Sequence, residues 1–146
     1  MRKILCALTV SLAVACASGS GTKLDPKISM RPVAVPESRT PSADWFTTVL
    51  EIEIQNTATE PITVDRIQLS SVSIGTFTIQ PVTERPQKQI APGATEVFRV
   101  WAQVQAQPTV SDGLDPILIR GSVEFIAASG GFRKTFAQQV NPSTLR

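Results

Sequence analysis

The sequence contains no histidine and no tyrosine, and only two cysteines, Cys6 and Cys16, among its 146 residues. Without imidazole, Ser-His-Asp and Cys-His nucleophile systems are excluded, as are His-ligated zinc and haem. Both thiols fall within the first sixteen residues. Redox chemistry and thiolate metal sites are therefore excluded from the remainder, and no disulfide staples its core. An excess of one charge sign is lacking too. Lys and Arg number 14 against 12 Asp and Glu, and Arg2 and Lys3 account for the difference. The other basic residues form no run that would neutralise a phosphate backbone, which argues against nucleic acid as a partner. The length fits one compact domain with or without a tail and rules out a large multidomain enzyme.

What is present begins with an export signal. Arg2-Lys3 is followed by an uncharged, mostly apolar run of 12 residues from Ile4 to Ala15. As a helix this run is about 18 Å long, short of a hydrocarbon core of about 30 Å, and it suits a signal-peptide apolar region. It ends in Leu12-Ala13-Val14-Ala15-Cys16. These residues resemble the lipobox of bacterial lipoproteins, with Ala13 where leucine is usual and Leu12 one step earlier. The resemblance implies cleavage before Cys16 and diacylglyceryl attachment to its thiol, so that acyl chains hold the chain to a membrane. The other reading of the same residues is an ordinary secretory signal cleaved nearby, after Ala15 or Ala17. Ala17, where an aspartate favours inner-membrane retention in proteobacterial lipoproteins, implies an outer-membrane protein facing the periplasm. Ala17 to Thr22 is small and polar with two glycines, which reads as a flexible tether. The expected organisation is a signal peptide over 1–15, a lipidated cysteine and tether over 16–27, and a folded domain over 28–146.

Beyond Lys27 the periodicity is two residues per repeat, without sustained helical spacing. In Val49–Gln55, Leu50, Ile52 and Ile54 alternate with Glu51, Glu53 and Gln55, predicting a half-buried antiparallel strand. Ile62-Thr63-Val64 resumes the pattern. Ile67 and Leu69 stay on the inward side only if a bulge intervenes at Asp65-Arg66. Val72 to Val82 reads as one further strand, and Pro86 to Gln89 as an edge or loop. Ala91-Pro92-Gly93-Ala94 has type II turn chemistry. Glu96 to Gln105 sets Phe98, Val100, Ala102 and Val104 on one side. After a loop from Gln107 to Pro116, Ile117 to Ala128 turns inward at Ile117, Ile119, Gly121, Val123, Phe125 and Ala127. Ser129-Gly130-Gly131-Phe132 reads as a hairpin whose two-glycine corner sets Phe136 opposite Phe125. Met30 to Pro36 adds a first strand, which Pro32 and Pro36 confine to an edge. The sum is an all-β fold, an antiparallel Ig-like β-sandwich of seven to eight strands resting on aliphatic burial.

The strand ending in Asn56, the Pro-containing loop into Ile62-Thr63-Val64-Asp65, Gly75, and Ile90-Ala91-Pro92-Gly93-Ala94-Thr95 before the next long strand together resemble the type-2 late-embryogenesis-abundant (water-stress) domains. That resemblance implies an Ig-like sandwich, occurrence in bacterial lipoproteins, and no catalytic residues to carry over.

Candidate chemistry is sparse. Ser111-Asp112-Gly113-Leu114-Asp115-Pro116 offers two carboxylates around a glycine, too few for a calcium loop, and reads as a polar turn. Glu51 and Glu53, about 7 Å apart on one face, read as a solvated strand face rather than an acid–base pair. Arg120, Arg133 and Lys134 fall near the last hairpin, either as charge protection of terminal strands or as a small anion- or headgroup-binding patch. Trp101, on the more polar side of its strand, is expected to cover the core from a second sheet, the alternative being an exposed binding anchor. The sequence thus predicts a lipid-anchored envelope protein with a non-catalytic binding or structural module, without cofactor or metal, and with an envelope protein as the partner class. Handling of a lipid or apolar ligand, stress protection, and a carboxylate-based hydrolase are the alternatives it leaves.

Overall fold

A computed structural model of the chain describes residues 24–33, 45–72, 77–106 and 116–141. These residues form nine strands: β1 (Lys27–Val33), β2 (Trp45–Gln55), β3 (Ile62–Ser71), β4 (Phe77–Ile79), β5 (Val82–Glu84), β6 (Lys88–Ile90), β7 (Thr95–Ala106), β8 (Ile117–Ala127) and β9 (Gly130–Val140). Sheet I has the order β1-β2-β7-β4. Sheet II has the order β5-β3-β8-β9, with β6 also on β3. Every pairing is antiparallel. The two sheets form the Ig-like sandwich that the alternation predicts, with nine strands where seven to eight were expected.

The alternation places most of the core. Leu50, Ile52 and Ile54 are fully buried, as are Val100, Ala102 and Val104 on β7 and Ile117, Ile119, Val123 and Phe125 on β8. They join one contiguous hydrophobic cluster between the sheets, at a gain of about 1.5–3 kcal/mol for each fully buried large side chain. The bulge expected after Val64 is present: Val64 pairs Phe125 and Arg66 pairs Glu124, leaving Asp65 as the extra residue. That shift keeps Ile67 and Leu69 buried. The Pro92-Gly93 turn closes with Ala94 N–H on Ala91 C=O at 3.1 Å, and Gly93 has φ +74°. β1 is an edge strand paired with β2 alone.

Three expectations need correction. Val72 to Val82 is not one strand, because Phe77–Ile79 pairs β7 in sheet I while Val82–Glu84 pairs β3 in sheet II. Pro81, at the crossing, has no N–H to continue a ladder. The last hairpin turns at Ala128-Ser129, with Ala127 opposite Gly130, so Phe125 faces Phe132 and not Phe136. Gly130, at φ +124°, opens β9. In this register Phe132 stacks on Phe125, centroids 4.9 Å apart. Phe136 lies over Gly121, where an added Cβ would stand 2.1 Å from its ring. Finally, packed structure begins before residue 28: Leu24 packs against the core and Pro26 is buried.

One end of the sandwich is closed around Asn56, which is fully buried. Its side-chain N–H groups donate to Glu60 C=O (2.8 Å) and Ile90 C=O (3.1 Å), and its Oδ1 accepts from Ala58 N–H (3.0 Å). Its backbone N–H donates to Ala94 C=O and its C=O accepts from Gly93 N–H, both at 2.9 Å. A buried amide is tolerated because each of these groups is partnered.

Candidate functional site

The outer face of sheet I carries an ion ladder. Register sets Arg31, Glu51 and Arg99 side by side on β1, β2 and β7. Arg31 donates from Nε and Nη2 to Glu51 Oε2 at 3.0 and 2.8 Å, and Arg99 donates from Nε to Oε1 at 3.1 Å. The Glu51 side chain is 7% exposed beneath two arginines that are over 70% exposed. Hydrogen bonds from Arg31 and then Arg99 hold its carboxyl below the ordinary value of 4.5, outweighing the opposing effect of desolvation. The solvated pair expected from Glu51 and Glu53 is therefore half right: Glu53 is exposed, whereas Glu51 is covered and spent on arginines. No free acid–base pair is left there.

Beside the ladder lie Val97 and Trp101, 47% and 57% exposed, with Trp45 further along the same face at 38%. Trp101 stands opposite Val49 on the outside of the sheet. The expectation that it covers the core is overturned, because Phe98, Val100, Ala102 and Val104 already fill the inner face of β7. The indole is exposed, as the alternative reading required.

Sheet II has a second ladder. Arg66, Glu124 and Arg133 stand in register on β3, β8 and β9. Arg133 Nη2 bonds Glu124 Oε1, and Arg66 Nη1 lies 3.4 Å from Oε2. The hydrogen bond from Arg133 lowers the Glu124 pKa below 4.5, opposed by desolvation and by the charge of Asp65. An open depression of about 650 Å³ crosses the same face. Its lining includes Thr83, Gln68, Ser122 and Thr135 from four successive strands in register, with Arg120 alongside.

Arg120, Arg133 and Lys134 do not gather into a patch. Arg120 and Arg133 share the outer face of sheet II, but Arg120 pairs Ala137 and Arg133 pairs Glu124, four positions along β8 or about 13 Å apart. Lys134 turns to the other side, where its Nζ donates to Asp25 Oδ1 (2.5 Å) and Pro26 C=O (2.7 Å). It clips Asp25 and Pro26 to β9. Cys16, Asp112 and Asp115 lie outside the described residues. Among the described residues no group of three His, Cys, Asp or Glu could hold a metal ion. Sequence reasoning missed the two ladders and the Asn56 knot. Alternation put Glu51 and Arg99 on outward faces, but only strand register shows that they meet.

No family model matches the chain, and no curated protein matches it. Solved structures do. A crystal structure of a candidate ApaA protein from Bordetella pertussis is similar at a TM-score of 0.57 and 22% identity, over 83% of this chain and 97% of that one. An X-ray structure of a second structural-genomics target is similar at a TM-score of 0.57 and 15% identity, over 83% and 90% of the two chains. At these identities the likeness concerns the fold.

Proposed function

We propose that the chain is a lipid-anchored protein of a bacterial envelope, held by acyl chains on Cys16, whose β-sandwich is a non-catalytic binding module. The observation that carries this reading is the leader: a basic start, a 12-residue apolar run and Ala15-Cys16, followed by a small polar segment that reaches packed structure at Leu24. The entry point supports it. Thr57 Oγ1 donates to Asp25 C=O at 2.8 Å, so the chain enters at the end closed by the Asn56 knot. An 11-residue strand such as β2 is about 36 Å long. A module tethered there holds Trp45, at the other end of β2, tens of ångströms from the headgroups. The exposed indoles then face partners in the compartment rather than the protein's own membrane. Ala17 at the position after the cysteine favours the outer membrane and its periplasmic face. The water-stress resemblance fits a sandwich of this kind without adding residues to it. The lipid-handling alternative needs an apolar channel between the sheets, a layer where the described residues pack one hydrophobic cluster.

The test is metabolic labelling with palmitate and intact-mass analysis of membrane-extracted protein. The expected result is label and acyl mass on the wild type, and a label-free Cys16→Ser protein released from the membrane fraction. An unmodified Cys16 thiol, or a mature chain beginning elsewhere, overturns the anchor.

A further inference from the structure

The two edges of sheet I are finished differently. At the β1 edge, backbone groups that point away from β2 are capped by side chains of β9. Met30 N–H donates to Gln138 Oε1 at 3.2 Å, and Pro26 C=O accepts from Lys134 Nζ at 2.7 Å. At the other edge, β4 covers only Val104 to Ala106 of β7. One more bond, Gln80 N–H to Gln103 C=O at 3.0 Å, ends the cover.

In an extended strand the N–H and C=O of one residue point to the same side, and those of the next residue to the opposite side. The Gln80–Gln103 bond therefore turns the odd positions of β7 toward the open side. The bond from Asn56 N–H to Ala94 C=O turns the even positions toward β2, and the β2–β7 register runs unbroken from Thr95 to Gln105. The backbone groups of Val97, Arg99 and Trp101 thus face outward from the edge, and no described residue pairs with them. The side chains of these three residues stand exposed on the outer face of the sheet. Phe98, between them on the inner face, is only half-buried at this edge. Exposed edge strands are commonly blunted by proline, an inward charge or a cover. Here such devices stand only at the two ends of the stretch: Pro81, directly after Gln80, where the chain leaves for β5 beside Trp101, and the Lys88–Glu96 pair at 3.7 Å at the start of β7.

We propose that Val97–Trp101 of β7 is a strand-addition site for an extended segment of a partner polypeptide. The segment has apolar residues opposite Val97 and Trp101 and an acidic residue opposite Arg99. Backbone pairing supplies affinity and the alternate side chains supply selectivity. Among the described residues Arg99 commits only Nε, to Glu51, which leaves its terminal nitrogens for the incoming carboxylate. A second copy of the chain fits less well, since antiparallel addition centred on Arg99 sets two guanidinium groups against each other. The proposal rests on the binding-module reading and gives it a surface and a partner class.

Residue-resolved hydrogen exchange on the full chain in detergent tests it, with the peptide Ac-Leu-Thr-Glu-Thr-Leu-NH2 as probe at about 1 mM. In the free protein the amides of Val97, Arg99 and Trp101 are expected to exchange much faster than those of Phe98, Val100 and Ala102. The peptide slows the three fast amides, and its Glu→Lys analogue binds about tenfold more weakly. Val97→Pro abolishes the effect while sparing the ladder to β2, because the N–H it removes points outward. Trp101→Asp weakens it through the exposed side chain alone and covers the case in which the proline variant does not fold. Three outcomes overturn the proposal: equal protection of odd and even amides in the free protein, no slowing by peptide, or slowing unaffected by both variants. Concentration-dependent protection of these amides without peptide assigns the edge to a second copy and overturns the partner version. Acyl labelling plays no part in this readout, so failure of the anchor and failure of the strand-addition site are separately visible.

Discussion

The two sheets carry the same device, an arginine–glutamate–arginine ladder across three strands, and obtain different geometry from it. On sheet I the strands run in unbroken register, and both oxygens of Glu51 are engaged at 2.8–3.1 Å. On sheet II the bulge at Asp65 swings Arg66 aside. Its contact with Glu124 lengthens to 3.4 Å, its buried Nε has no partner among the described residues, and the Asp65 charge opposes the ladder. The Glu124 side chain stays 23% exposed against 7% for Glu51. The difference teaches that cross-strand charge pairing depends on local strand regularity more than on residue identity.

Breaking sheet II from within gives the largest expected effect. Phe136 fills the space that a side chain at Gly121 would need, and Gly121→Ala forces the ring off. The cost is about 1–3 kcal/mol, read as a lower urea midpoint at unchanged slope. Unchanged stability would show that the Phe136–Gly121 contact does not set the β8–β9 register.

Next come the ladders themselves. Glu51→Gln is expected to lower Tm by several degrees and Glu124→Gln by less, because fewer good hydrogen bonds are lost on sheet II. The pH dependence sharpens the contrast. Both carboxyls are held below 4.5 in the folded protein, so each ladder's stabilisation is complete above the unfolded glutamate value and is lost as pH falls through the lowered folded-state value. Thermal melts between pH 7 and pH 2.5 should show an acid limb that flattens more in Glu51→Gln than in Glu124→Gln. Equal flattening would remove the distinction between the ladders.

The smallest effect lies beneath sheet I. The hydroxyl of Thr48 is fully buried, without a partner among the described residues. Thr48→Val removes that unpaired group at nearly constant volume and should stabilise by about 0.5 kcal/mol, seen as a slightly raised urea midpoint. A loss of stability would mean that the hydroxyl is satisfied in solution.

Much of this fold is legible from alternation alone. Leu50, Ile52, Ile54, Val100 and Phe125 are assigned inward by period two, and the bulge at Asp65 follows from the phase slip that keeps Ile67 inside. The β4–β5 crossing was not legible, since a three-residue strand carries too little pattern to show which sheet it joins. The hairpin register was missed by placing the glycines at the corner. Phe136 needs a partner without a Cβ, and that demand acts across strands rather than along the chain. The candidate surface was legible only as one residue, Trp101, whose indole is exposed.

Hydrophobic alternation and turn chemistry are local properties, so the sequence by itself determined an all-antiparallel sandwich, its principal strands and most of its core. Strand register and sheet membership arise from contacts between residues distant in the chain. Only the tertiary structure therefore decided that Glu51 is shared by two arginines, that Lys134 ties Asp25 and Pro26 to β9, and that no described residue pairs with the edge of β7 beside Trp101.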